Sequence, residues 1–146
     1  MTRRIKQMNK GIEYLATPYT HDDELIRDFR AEVSDCIAAA LTKKGRIIFA
    51  PISAWHHIAK KYNLPRDFEY WADLDEAFLS ACSKLLVIKL DGWKESKGLK
   101  LEKAIAKKYG IPISYIDPQP YLKELGGKNY VKGNKEKKLC VSGGAN

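Results

Sequence analysis

The sequence predicts an α/β protein built on a doubly wound parallel sheet of four to five strands. Segments with strand character alternate with segments of helical period, and the strand segments are nearly unbroken apolar runs, the mark of strands covered on both faces. A length of 146 residues, 45% of them hydrophobic, fits one domain with a real core and falls short of two.

The elements follow in order. Residues 11–16 (GIEYLA) make a first buried strand, closed by Thr17 and Pro18. Thr20 with Asp23 three residues on has the form of a capping box, and Asp22, Asp23 and Glu24 suit the positive end of a helix over residues 22–42. The apolar residues Ile26, Phe29, Val33, Ile37, Ala40 and Leu41 of that helix recur at steps of three and four, and Gly45 marks its stop. Residues 47–50 read as a second strand ended by Pro51, residues 53–62 as a short helix, and residues 66–82 as a longer one. The run KLLVIKL at 84–90 is the most strand-like in the chain. A helix over 96–109 and a last strand over 111–116 complete the pattern. In such sheets ligands bind beyond the carboxyl ends of the strands, which directs attention to residues 17–24, 51–57 and 91–98.

The formal net charge of +8 suggests a polyanionic partner until it is located. Residues 1–10 carry four basic residues and no acid, and residues 121–146 carry six lysines and two glutamates. Sixteen basic and sixteen acidic residues balance between them. The expected organisation is therefore a basic arm (1–10), a neutral domain (11–120) and a basic tail (121–146). Cys36, Cys82 and Cys140 are odd in number and widely spaced, which points to a reducing, cytoplasmic setting. No stretch reads as a signal peptide or a membrane span.

Two acids fall where apolar residues belong. On the helix from Ser96, lysines take one face, while Glu102 lies among Leu99, Leu101, Ile105, Ala106 and Tyr109 on the other. Burying an unpaired carboxylate costs several kcal/mol, so its position calls for a reason. Gly98, one turn earlier, leaves open space above it, and a pocket floored by Glu102 follows. Asp75 lies in the same way among Phe68, Trp71, Ala72, Leu74, Phe78, Leu79 and Cys82, with Glu69, Asp73 and Glu76 pointing away. Paired carboxylates act at the anomeric carbon of a sugar as nucleophile and acid/base, a separation of about 5 Å marking the covalent, retaining form. Ser96 caps a helix N-terminus, where free amides and a hydroxyl suit an anion. The plainer readings are a Glu102 that reaches the helix edge or a lysine, an Asp75 that anchors a loop, and a Ser96 that only caps.

The strand Tyr14-Leu15-Ala16 with Pro18-Tyr19, the interval from Asp75 to Ser83 ahead of a buried strand, and Ser96-x-Gly98-x-x-x-Glu102 together resemble the nucleoside 2-deoxyribosyltransferase superfamily, which includes 2-deoxynucleoside 5′-monophosphate N-glycosidases. The resemblance spans residues 11–117. It implies a flavodoxin-like three-layer α/β/α fold, no cofactor and a homodimer or higher homo-oligomer. It also implies Glu102 as the nucleophile at C1′, Asp75 as the acid acting at the base, and Tyr14 as the group positioning nucleophile or sugar. The transferases place an Asp six residues before the nucleophile. Ser96 stands there in this chain, as in the monophosphate-cleaving branch, where the hydroxyl meets the 5′-phosphate. The Asp common at the start of the strand after Asp75 is replaced around Cys82 and Ser83.

His21 closes the first strand's exit loop and suits phosphate or sugar, Trp55 with His56 and His57 suits a stacking wall for a base, and Asp91 and Trp93 border the 91–98 loop. Adjacent histidines without an HExxH motif do not suggest a metal, and no dinucleotide or P-loop motif is present. The expected partner is a small nucleoside or nucleotide, with nucleic acid meeting only the tails and no membrane contact. The competing readings are a non-catalytic nucleotide binder on the same fold and a nucleic-acid-associated protein that works through its tails.

Overall fold

The computed structural model describes residues 11–125. Strands β1 (Glu13–Ala16), β2 (Ile48–Phe49), β3 (Lys84–Ile88) and β4 (Ile113–Ile116) form one parallel sheet in the order β2-β1-β3-β4. Tyr14 lies in register with Phe49 on one side and Leu85 on the other, and Val87 with Tyr115. Helices α1 (Glu24–Lys43), α2 (Pro51–Lys61), α3 (Phe68–Ser80), α4 (Lys97–Lys108) and the short α5 (Gln119–Leu122) fill the connections, giving the expected three-layer, flavodoxin-like α/β arrangement.

The strands' period of two sorts the core onto two faces. Leu15, Leu86 and Ile88 meet Phe29, Val33, Ile37 and Leu41 of α1, whereas Tyr14, Ala16, Leu85 and Val87 meet Leu79 of α3 and Leu99, Ile105 and Ala106 of α4. The chain leaves β1 toward β2 and later returns to pair β3 with the opposite edge of β1. This reversal opens a crevice at the carboxyl ends of β1 and β3.

Helix ends account for most departures from expectation. The cap of α1 is Asp23, whose side chain accepts the Leu25 N–H at 2.9 Å. The Thr20–Asp23 box does not form, because the Thr20 hydroxyl donates to the Arg66 carbonyl at 3.3 Å. Gly45 ends α1 as expected: at φ +83° its N–H reaches the Thr42 carbonyl and the Arg46 N–H reaches that of Leu41, a left-handed turn that favours glycine. Helix α3 is covered less than its pattern predicts. Leu79 is its one buried residue, and Phe78 and Tyr70 stand exposed, Phe78 stacking on Phe49. Tyr109 is also exposed rather than inward, since its hydroxyl donates to Glu76 at 2.7 Å beside Lys108.

The packed domain runs past Pro120, with Leu122 buried against α1 and Leu125 beside it. The expected tail thus begins no earlier than residue 126. The basic arm and residues 126–146 lie outside the described residues. Among the described residues no helix is long and apolar enough to cross a membrane.

Candidate functional site

Three cavities share walls along the carboxyl edge of the sheet and make one cleft. The central one is lined by Thr17, Asp75, Ser96, Gly98 and Glu102 among others. Toward the start of α4 it opens, across Thr20, Phe68 and Ser96, into a recess of about 520 Å³ that also meets His21, Arg30, Gly92 and Lys97. That volume is within the range of roughly 300–1,000 Å³ typical of small-molecule sites. In the other direction, across Tyr19, Pro51, Ile52 and Trp71, it meets an apolar slot walled by Trp55 and His56. The cleft therefore has a polar end, a carboxylate centre and an aromatic end.

The centre depends on β1 and α4. Glu102 is 6% exposed and Tyr14 fully buried. The helical step from Ser96 puts Gly98 and Glu102 on the cleft side, and a Cβ added to Gly98 would meet nothing nearer than the Ser96 hydroxyl at 3.8 Å. The open space expected over Glu102 is there. Neither Glu102 nor Asp75 makes an ion pair among the described residues. Burial, then the charge of Asp75, push the Glu102 carboxyl well above the ordinary carboxylate range. Burial raises Asp75 too. Two carboxyls so placed titrate as a pair and hold a proton between them into the neutral range. The Tyr14 hydroxyl opposes both shifts, though it completes no hydrogen bond of normal geometry to either acid. Burial followed by the charges of Glu102 and Asp75 keep Tyr14 protonated. The Thr17 hydroxyl is likewise buried without a partner.

At the polar end the Ser96 hydroxyl accepts the Leu99 N–H at 3.2 Å, which leaves its own proton to donate. His21 lines this recess and accepts the Asp23 N–H at 2.9 Å through Nδ1. Three expected residues line none of the three cavities: Pro18, Asp91 and Tyr14, the last buried in the core with its hydroxyl near Glu102 and Asp75. Pro18 is buried and lines none of the three cavities; it follows Thr17 in the turn out of β1. Asp91 lines none of them either, and its carbonyl accepts Arg30 Nη2 at 3.2 Å. Trp93 faces away from the cleft, against Tyr115 and under Lys103.

Sequence reasoning missed the residues that hold the cleft's loops. Buried Arg30 donates to the carbonyls of Thr20 and Asp91, tying the loop after β1 to the loop after β3. Gly92 is needed there, since its φ is +93° and a Cβ would lie 2.7 Å from Arg30 Nη2. Arg27 donates to the His21 carbonyl. A signal existed: Arg30 stands four residues after Ile26 and three before Val33, on the apolar stripe of α1. Also missed was a chain of side chains at the aromatic end, Tyr19 to His56 to Asp28, bonded at 2.6 and 2.9 Å.

In doubly wound α/β domains ligands bind at the topological reversal of the sheet, and that is where this cleft lies. The family model for DUF1937, a domain of unknown function, matches residues 11–117, and the chain belongs to that family. No curated protein matches it.

Proposed function

We propose that this protein is an enzyme of the nucleoside 2-deoxyribosyltransferase-like superfamily that cleaves the N-glycosidic bond of a nucleoside or nucleoside 5′-monophosphate, by hydrolysis or base exchange. The observation that carries this reading is Glu102, buried beside Asp75 and without a cation among the described residues, in a cleft whose next wall is the Ser96 helix terminus. A carboxylate without a cation is costly unless a ligand uses it.

In this reading the 5′-phosphate takes the Ser96 hydroxyl and the first amides of α4, and the base lies against the aromatic end lined by Trp55 and Trp71. Ionised Glu102 attacks C1′ and the C–N bond breaks, its electron pair going to the base nitrogen. Asp75 holds the pair's proton at that moment and delivers it to the leaving base. Water, deprotonated by the Asp75 carboxylate, then attacks C1′ and frees the sugar; a second base in place of water gives exchange. Tyr14 steadies the Glu102 carboxylate. The setting proposed is cytoplasmic, without a cofactor, and the exposed Phe78 and Tyr70 give a homo-oligomer an apolar surface to use.

The test is incubation with a panel of nucleosides and deoxynucleoside monophosphates, with and without acceptor base, followed by chromatography. Free or exchanged base is expected, and it should disappear in Glu102→Gln. Release undiminished in that variant, or absent from every substrate, overturns the reading, and tight binding without turnover puts a nucleotide-binding protein in its place.

A further inference from the structure

The aromatic end holds a chain of three side chains that the glycosidic chemistry does not use. Tyr19 from the loop after β1, His56 from α2 and Asp28 from α1 are joined by Tyr19 Oη to His56 Nδ1 at 2.6 Å and His56 Nε2 to Asp28 Oδ1 at 2.9 Å. His56 is 6% exposed, and both it and Tyr19 line the slot walled by Trp55 and Trp71. Lys60 donates to both Asp28 oxygens, at 3.2 and 3.0 Å.

The direction of these bonds follows from donor and acceptor counts. A carboxylate bonded to an ammonium only accepts, so the ring proton of His56 sits on Nε2. Burial lowers the affinity of His56 for a second proton, against the pull of Asp28, and so favours the neutral ring. Nδ1 is then a bare acceptor, and the Tyr19 hydroxyl must be the donor to it. The one proton of Tyr19 is thereby committed, and its oxygen has only lone pairs to offer anything else in the slot. A phenol with a free rotor would accept or donate as the ligand required. This one is fixed as an acceptor.

We infer that Tyr19 is a specificity-determining residue that selects bases presenting an N–H donor, an exocyclic amine above all, to its oxygen. The inference rests on the nucleotide reading of the cleft and adds to it which edge of the base is read. Trp55 and Trp71 supply an aromatic wall that does not read the base's edge, and Tyr19, set by His56 and Asp28, supplies the discrimination. A single hydrogen bond of about 1 to 1.5 kcal/mol corresponds to about tenfold in affinity.

The experiment is equilibrium binding to Glu102→Gln, whose cleft keeps its shape, of 2′-deoxyadenosine 5′-monophosphate against the 2′-deoxynucleotide of unsubstituted purine. A preference of about tenfold for the amino base is expected. Tyr19→Phe, which removes the acceptor from the slot together with the bond to His56, should abolish the preference while leaving the affinity for the purine nucleotide as it was. His56→Phe, which releases the Tyr19 proton, should level or reverse it, with circular dichroism reporting on the fold. Equal binding of both probes, binding of neither, or a preference that survives Tyr19→Phe overturns the inference. Base release by the wild-type chain is scored separately. Turnover without an amine preference leaves the glycosidase standing and removes the role of Tyr19, and an amine preference without turnover does the reverse.

Discussion

Glu13 and Glu102 are the same side chain set into the same small domain, and the structure treats them in opposite ways. Glu13, on β1, accepts from Arg46 through both carboxylate oxygens, at 2.6 and 2.9 Å, and those bonds hold its carboxyl below the ordinary range. Glu102, on α4, meets no cation among the described residues, has Asp75 for a neighbour, and is raised. With twenty-six basic residues in the chain, cations are not scarce. Glu13, paired with arginine, belongs to the architecture of the sheet, and Glu102, left beside another acid, is the one we propose a ligand uses. Perturbed acids in a cleft are where chemistry is sought, and the sign of the perturbation distinguishes the two cases.

The largest effect that tests this contrast is on activity. Glu102→Gln should lower base release by at least about 10⁴-fold, as loss of a nucleophile does. The same substitution should raise stability, and the two glutamates then separate by pH. Glu102 has a folded-state pKa above its unfolded one, so its effect on folding is neutral only below the ordinary carboxylate range, and stability is lost as pH rises through the raised value. Glu102→Gln should therefore melt higher than the parent near neutrality and above, by a few degrees for about 1 to 3 kcal/mol, and converge with it below about pH 4. Identical melting curves across that range would place Glu102 with the paired carboxylates.

Asp75→Asn should lower activity by about 10²- to 10⁴-fold, the range of general acid catalysis. It removes one of the two causes that raise Glu102 and leaves burial, so the pH at which Glu102 titrates should fall toward the ordinary range without reaching it. Measuring the melting temperature of Asp75→Asn against pH shows this directly. A curve unchanged from the parent would mean that the two acids do not share a proton.

The converse holds for Glu13. Its folded pKa is depressed, so its stabilisation is present above the ordinary carboxylate range and lost as pH falls through the lowered value. Glu13→Gln should cost about 1 kcal/mol near neutrality, a modest figure because Arg46 is about one-third exposed, and nothing in acid. Chemical denaturation at two pH values checks this. Activity should be unaffected.

The misfit of Glu102 and Asp75 was legible in the sequence because a charge on an apolar stripe is a local contradiction, visible on one helix at a time. The sheet was legible because its strands are continuous apolar runs between helices of plain period. What could not be read came from contacts between distant elements. Tyr19 meets His56 across 37 residues and His56 meets Asp28 across 28. Arg30 reaches its carbonyls from a helix otherwise read as apolar inward. Asp91 and Trp93 looked like cleft residues because their loop borders the cleft; the side on which a loop presents each side chain is a property of its dihedrals, which local pattern does not encode. The coverage of α3 was overestimated for a related reason. An apolar stripe states what a helix can bury, and Phe78 and Tyr70 remain exposed where no further layer meets them.

The smallest expected effect concerns Thr17, at the mouth of β1. Thr17 lines the central cavity, and its hydroxyl is buried with no partner among the described residues, as is that of Tyr14 three residues before it. Thr17→Val keeps the shape and removes the hydroxyl. An unpartnered buried hydroxyl destabilises, so the variant should be as stable as the parent or up to about 1 kcal/mol more so. A structural hydroxyl would give the opposite sign. Should the variant also bind a nucleoside monophosphate several-fold more weakly by calorimetry, the missing partner of Thr17 is the ligand, and Thr17 joins Glu102 among the groups whose cost in the empty cleft is offset when it fills. Unchanged affinity would confine that pattern to the carboxylates.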